Sequence, residues 1–102
     1  MNEPQPPTPR SVSATLRTAG FRAIGDADEG YDAGWCGGDP GSGAVHVSYH
    51  SWRGDGTGAA IDAALAATLE ALASMTATLR NKGWAVEPSV PRACLIVKEA
   101  GQ

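Results

Sequence analysis

Apolar residues recur at helical spacing in one long segment of the chain. This segment contains Ile61, Leu65, Leu69, Leu72, Met75 and Leu79, separated by 4, 4, 3, 3 and 4 residues. The spacing predicts a helix over about 59–82 with one continuous apolar stripe. Arg80 and Lys82 suit the negative end of the helix dipole, and Gly83 is placed to end the helix.

A second pattern, with a period of two, occupies residues 44–52. Val45, Val47 and Tyr49 alternate with His46, Ser48, His50 and Trp52. The alternation predicts a strand that buries the first set and leaves the second on an open sheet face. Residues 33–36 are the expected partner arm, because the Gly-, Asp- and Pro-rich segment 37–43 is typical of a hairpin loop.

Shorter elements complete the predicted order. Ser11 is a suitable N-cap for a helix over 11–19, and Phe21 to Gly25 resembles a short strand. An acidic turn is expected over 26–32. A final hairpin is expected from arms at 84–87 and 93–98.

An internal repeat relates the C-terminal end of the first predicted helix to the C-terminal end of the second. Ala14-Thr15-Leu16-Arg17-Thr18-Ala19-Gly20-Phe21 recurs as Ala77-Thr78-Leu79-Arg80-Asn81-Lys82-Gly83-Trp84, with five of the eight positions identical. We therefore predict two αββ units, in halves 11–53 and 59–98, after a Pro-rich tail at 1–10. Neither unit can bury its sheet face alone. The expected fold is α+β, an antiparallel sheet of four or five strands with two helices on one face.

The predicted core combines large apolar residues of both halves. Its members are Leu16, Phe21, Ile24, Val45, Val47, Ile61, Leu65, Leu69, Leu72, Leu79, Trp84, Val86, Leu95 and Val97.

Composition narrows the class of protein. The chain has 102 residues, two Cys and a formal net charge of −3. Leu, Ile, Val and Phe together number 16 against 18 Ala, so the core is thin for one domain. These values exclude a large enzyme, a disulfide scaffold and a strongly basic polyanion binder. We expect a cytoplasmic protein without a membrane span, and the thin core favours association with another chain, which could be a second copy.

The open sheet face is the first candidate site. We predict a recognition patch of aromatic, His and basic side chains, with Trp35 or Tyr31 beside the strand 44–52. A shift of one residue in register would exchange the two faces and bury Trp52 instead. The candidate binding residues are Trp35, His46, Ser48, His50, Trp52 and Arg53.

A glycine-rich loop before the long helix is the second candidate site. Residues 54–59 match the spacing G-x-G-x-x-A of dinucleotide loops, but the preceding strand alternates rather than being apolar on both faces. A weaker form remains open, in which backbone amides of Gly56, Thr57 and Gly58 bind an anion at the helix start.

Metal and catalytic motifs are weak. His46 and His50 would lie about 13 Å apart on one strand, too far to bind one ion. Cys36 and Cys94 have no ligand spacing, and no nucleophile elbow is present. We predict no metal, no cofactor and no catalytic residues.

The last forty residues resemble a group of known sequences. The run Leu79-Arg80-Asn81-Lys82-Gly83-Trp84-Ala85-Val86-Glu87, between an Ala-rich helix and Leu95-Ile96-Val97, is similar to short uncharacterised accessory proteins of actinobacterial phages and integrative mobile elements. The resemblance implies a mobile-element accessory protein, of a class that often works by binding a host or phage protein, and it transfers no catalytic residue.

The leading hypothesis is therefore a small non-enzymatic protein-binding regulator or inhibitor, of phage or mobile-element origin, acting on a host or defence protein. One alternative is a nucleic-acid-associated accessory domain that uses Arg53 and the aromatic face. The other is a small-ligand or nucleotide binder at Gly54–Gly58.

Overall fold

The computed structural model describes residues 6–25, 29–50, 57–89 and 94–100. Its elements follow in the order α1 (Pro9–Thr18), β1 (Gly30–Trp35), β2 (Ala44–His50), α2 (Gly58–Asn81), β3 (Ala85–Ser89) and β4 (Cys94–Lys98). Two single-turn 3-10 helices, Cys36–Gly38 and Pro40–Ser42, form the connection between β1 and β2.

The four strands form one antiparallel sheet in the order β1-β2-β4-β3. Since β2 and β3 each pair antiparallel with β4, they run parallel to each other, and α2 crosses over between them. The predicted α+β class with an antiparallel sheet is confirmed. The predicted strand near Phe21 forms only an isolated parallel bridge, between Ala23 and Tyr31.

Both helices contribute to one core on the same side of the sheet. Helix α1 packs on β1 and β2, and α2 packs on β2, β3 and β4. The buried cluster contains Val12, Leu16, Tyr31, Val45, Val47, Leu72, Met75, Leu79, Trp84, Val86, Leu95 and Val97. Strands β2 and β4 supply two valines and a leucine–valine pair to it, as their alternation predicts.

Helix α1 begins two residues earlier than predicted. Its N-cap is Thr8 rather than Ser11, and the two residues form a reciprocal capping box in which Thr8 Oγ1 accepts from the Ser11 amide at 3.0 Å. Pro9 follows at N1, where a missing amide proton costs nothing. Pro7 is fully buried. Residues 7–10 therefore belong to the folded domain, contrary to the predicted tail at 1–10.

The two helices end in the same backbone geometry. Gly20 has φ 100° and Gly83 has φ 106°, in the left-handed region that favours glycine. The amide of the aromatic residue that follows donates to the carbonyl of the buried leucine, Phe21 to Leu16 at 3.0 Å and Trp84 to Leu79 at 3.4 Å. The residues that the sequence repeat aligns thus adopt one local structure.

Gly30 permits the segment 22–24 to lie against the edge of β1. A Cβ at this position would lie 2.4 Å from the carbonyl oxygen of Arg22. The amide of Tyr31 donates to that carbonyl at 2.9 Å, and the amide of Ile24 donates to the carbonyl of Tyr31 at 2.9 Å. Backbone groups of residues 22–24 thus cover the first part of an edge strand.

The prediction of a core position is wrong for three residues of α2. Ile61, Leu65 and Leu69 are 44%, 52% and 54% exposed. Phe21 and Ile24 are only half-buried. The buried stripe of α2 instead consists of Ala64, Thr68, Leu72, Met75 and Leu79. In the first half of α2, small side chains face the protein and large ones face solvent.

Candidate functional site

The open sheet face has the side chains that the alternation of β2 predicts. Val45 and Val47 are buried, whereas His46 and Ser48 are half-buried and His50 is exposed. The register places His46 between Gly34 and Ile96. Since Gly34 has no side chain, one flank of His46 is left open, next to the neighbouring strand.

A shallow hollow forms at this open flank. Its volume is about 480 Å³, and its lining comprises Trp35, Cys36, Gly37, His46 and Ile96. Cys36 and Cys94 are both free thiols, so no disulfide joins the hollow to the rest of the sheet. The lining mixes one imidazole, one thiol and apolar groups, a composition that fits a peripheral contact surface.

The β1 aromatic residues of the predicted patch start from the helix-facing side of that strand, although Trp35 also lines the hollow beside His46. Tyr31 lies opposite Tyr49 and Trp35 opposite Val45, and directly opposed residues share a face. Both aromatic residues therefore start from the helix-facing side of β1, and Trp35 packs against the core. Trp52 and Arg53 lie outside the described residues. Of the predicted patch, the described open face keeps His46, Ser48 and His50.

The Tyr31 side chain links β1 to α1 on the helix-facing side of the sheet. Its side chain is 2% exposed, and its hydroxyl lies 2.6 Å from Ser13 Oγ. The hydroxyl donates to the carbonyl oxygen of Ser13 at 3.1 Å and accepts from Arg17 Nε at 3.2 Å. The Tyr31 hydroxyl is therefore fully hydrogen-bonded, and it connects β1 to α1.

The polar groups of the open face form weak, solvent-exposed pairs. Ser48 Oγ lies 3.3 Å from His50 Nε2, and Lys98 Nζ lies 3.6 Å from Glu87 Oε2. Within the described residues no carboxylate is hydrogen-bonded to His50, so the Ser–His pair lacks the third group that orients a catalytic base. These same residues contain no group of three His, Cys, Asp or Glu side chains that could hold a metal ion.

The helix start offers less to an anion than predicted. Thr57 is the N-cap of α2, and its hydroxyl accepts from the amide of Ala60 at 3.2 Å. One of the amides at the helix start is thus already bonded by the cap. Gly58 is exposed, and Gly56 lies outside the described residues. The strands that α2 connects, β2 and β3, are also separated by the antiparallel β4, whereas dinucleotide loops occur in sheets of parallel strands.

The most exposed apolar surface lies on α2. Leu65 and Leu69 face solvent beside the buried turns of the same helix, and Ile61 continues this surface toward the N-terminus. We call Ile61, Leu65 and Leu69 the exposed stripe. Sequence reasoning located these residues but assigned them to the core.

An apolar groove of about 420 Å³ adjoins the exposed stripe. Its helix side consists of Leu69, Leu72, Ala73, Thr76 and Arg80. The end of the β3–β4 hairpin forms the opposite wall, with Leu95 at its base. At the closed end, Arg80 Nη2 donates to the carbonyl oxygen of Val86 at 2.8 Å. The groove and the exposed stripe form one surface because Leu69 belongs to both.

Helix α2 also has the length and apolar composition of a membrane-crossing helix. Its most apolar 18-residue window has a mean hydropathy of 1.3, and 11% of that window is buried. Core helices of soluble proteins pass the same test. The acidic Asp62 and Glu70 lie on exposed positions of this helix.

A hydrogen-bonded carboxylate perturbs one tyrosine near the end of β2. The Tyr49 hydroxyl donates to Glu29 Oε2 at 2.8 Å. Burial, together with the hydrogen bond and the negative charge of Glu29, raises the pKa of Tyr49 from its ordinary value near 10 to about 12. Both residues line a hollow of about 440 Å³ with Phe21 and Arg22.

Comparisons with known proteins give no further guide. No family model matches this chain, and neither does any curated protein or solved structure.

Proposed function

We propose that this chain is a small non-enzymatic protein-binding domain. Its contact surface is the exposed stripe of α2 together with the adjoining groove. The observation that carries the proposal is that three large apolar residues stand about half exposed on the helix that also forms the core. Burying a fully exposed Leu or Ile side chain contributes roughly 1.5–3 kcal/mol, and covering the exposed half of each of these residues contributes about half of that. An exposed apolar patch next to a groove is a common feature of interaction sites.

Charge favours a protein over a nucleic acid as the partner. The exposed stripe is flanked by Asp62 and Glu70, and α2 has no basic residue before Arg80. Phosphate groups would be repelled along this part of the helix. His46, Ser48 and His50 form a second, more polar surface on the opposite side of the sheet, which is available to the same partner or to another one.

The resemblance of the last forty residues favours a biological setting for this activity. It supports a regulator or inhibitor from a phage or mobile element that binds a host or defence protein. Acting by binding alone is consistent with a Ser48–His50 pair in which, among the described residues, no carboxylate is hydrogen-bonded to the histidine.

We also propose that the two αββ halves descend from one duplicated unit. The element order, the shared Ala-Thr-Leu-Arg run and the equal geometry at Gly20 and Gly83 support this origin. In this view the second helix was extended by more than three turns, from 10 residues to 24. The exposed stripe lies within the added turns.

Site-specific photo-crosslinking tests the binding function. A photoreactive phenylalanine analogue is placed at Leu65, and in separate chains at Ser48 and at Asp39 in the loop before β2. We expect protein adducts at position 65 that Leu69→Asp removes and Ser74→Asp, on another side of the helix, retains. Adducts confined to position 48 would move the contact to the sheet face. Absence of adducts at all three positions would contradict a protein-binding function.

A further inference from the structure

We propose that the partner of α2 is a second copy of this chain, bound with its α2 helix antiparallel to the first. This inference rests on the proposed protein-binding function and specifies its occupant. The argument comes from the spacing, the exposure and the charges of the residues on one line of the helix.

A second, continuous seam lies beside the buried stripe of α2. It consists of Asp62, Ala66, Leu69, Ala73, Thr76 and Arg80, at intervals of 4, 3, 4, 3 and 4 residues. Alternating intervals of four and three keep residues on one side of a helix and are the pattern of helix–helix packing. All six are exposed except Thr76, which is half-buried. We call these residues the outer seam.

The outer seam is symmetric about its centre. Asp62 and Arg80 are eighteen residues apart, about five helical turns, so they lie on the same line along the helix. A two-fold axis midway between Leu69 and Ala73 brings Asp62 of one copy to Arg80 of the other, twice. The same axis places each Leu69 against the other copy's Ala73, a large side chain against a small one.

Such an arrangement is self-complementary in charge. Asp62 lies in the second turn of α2 and Arg80 in its last turn, so these two residues pair opposite signs between copies only when the copies are antiparallel. Antiparallel helix dipoles favour the same orientation. A lipid surface is a poorer match, because anionic headgroups would meet Asp62 and Glu70 without any nearby Lys or Arg. The net charge of −3 for the whole chain is too small to prevent self-association.

The groove beside the outer seam adds to the area that two packed α2 helices can bury. Ala66 and Ala73 permit close approach of the two helix axes, and the exposed walls of the groove, such as Pro88 of the β3–β4 hairpin, lie beside this contact. Two helical strips of this length, each roughly 10 Å wide, bury about 700 Å² in total. A specific interface needs about 1,000 Å², so the groove walls must contribute, and the dimer is expected to be of micromolar strength.

Sedimentation equilibrium of the full chain tests this arrangement. We expect the wild type to be mostly dimeric at about 100 µM and mostly monomeric at about 1 µM, as a dissociation constant of about 10 µM requires. Asp62→Arg and Arg80→Asp should each weaken the dimer at least tenfold, and the double exchange should restore it. Ser74→Asp is the matched control and should have no effect. If Arg80→Asp fails to fold, because it loses the bond to Val86, Leu69→Asp replaces it and should give a monomer.

The outcomes separate this inference from the proposed function. A wild type that stays monomeric at high concentration, or a dimer that Asp62→Arg and Leu69→Asp leave intact, overturns the antiparallel dimer. A monomer that still gives adducts with a different protein at position 65 overturns the dimer and retains the binding function. A monomer that instead sediments with phosphatidylcholine vesicles overturns both.

Discussion

The first and second halves of α2 have the same sequence character and opposite surroundings. Both are Ala-rich with large apolar residues at helical spacing, yet Leu79 is fully buried and Leu65 is 52% exposed. The cause is length. The 24 residues of α2 extend about 36 Å, whereas the seven residues of β2 extend about 23 Å. A helix that exceeds its sheet by more than 10 Å must project beyond it.

An apolar stripe on a helix predicts that the stripe is covered, but it does not show whether the same chain or another molecule covers it. In the second half of α2 the contact is the sheet of the same chain. In the first half, the buried positions are the small Ala64 and Thr68, while the large residues of the exposed stripe remain for another molecule. The extents of the molecule, 50 × 25 × 21 Å, agree with a projecting helix.

The largest expected effect is in the second half of α2. Leu79→Ala should lower the free energy of unfolding by about 2–5 kcal/mol, because it removes a fully buried side chain and leaves a cavity between helix and sheet. Urea denaturation followed by circular dichroism measures the change. The matched variant Leu65→Ala, in the first half, should change stability by less than about 0.5 kcal/mol in the monomer. Equal losses for the two would show that the first half is packed in solution.

The caps of the two helices give the next contrast. Thr8→Ala breaks the capping box of α1, a short helix with two fully buried residues, and should cost about 1 kcal/mol in global stability. The same urea titration measures it. Thr8→Ser preserves the hydroxyl and should retain most of the stability. A cost of Thr8→Ala near zero would mean that α1 starts elsewhere in solution.

Thr57→Ala, at the start of α2, should act locally. Its cap bonds the amide of Ala60 in a part of the helix that projects from the core. We expect faster amide hydrogen exchange over the first turns of α2 and a change in global stability well below that of Thr8→Ala. Hydrogen exchange resolved by mass spectrometry measures both regions. Faster exchange that spreads to Leu79 would indicate that α2 opens as one unit.

The smallest effect concerns the ionisation of Tyr49, near the end of β2. The raised pKa of Tyr49 favours the neutral phenol in the folded chain. Its contribution to stability is therefore complete below pH 10 and lost as the pH rises through about 12. Glu29→Gln removes the carboxylate charge and should lower the pKa of Tyr49 without bringing it fully to 10, because burial remains. Ultraviolet titration of phenolate absorbance checks this, and an unchanged midpoint would exclude Glu29 as a cause.

Local features were predictable to the extent that their causes are local. Gly20 and Gly83, each followed by an aromatic residue, marked both helix ends because a left-handed cap needs only neighbouring residues. The alternation of β2 predicted which face carries His46. The position of Trp35 was less predictable, because the face of β1 depends on its register with β2, which the long loop between them does not fix, and Trp35 contacts both the core and the hollow beside His46.

The capping box at Thr8 was also readable in principle, since Thr8 and Ser11 have the required spacing, but the prolines around them suggested a tail. The role of Gly30 was not readable, because the backbone that approaches it comes from residues 22–24 across a turn.

The sequence by itself determined the α+β class, the C-terminal ends of both helices and the apolar stripe along α2, because each follows from chemistry within a few residues. Only the tertiary structure decided which line is buried and where burial stops. Both the identity of the buried line and the point where burial stops depend on the length of the sheet and on the small residues of α2 that face it. The exposed stripe is the result, since the turns of α2 that project beyond the sheet have no cover within the described part of the chain.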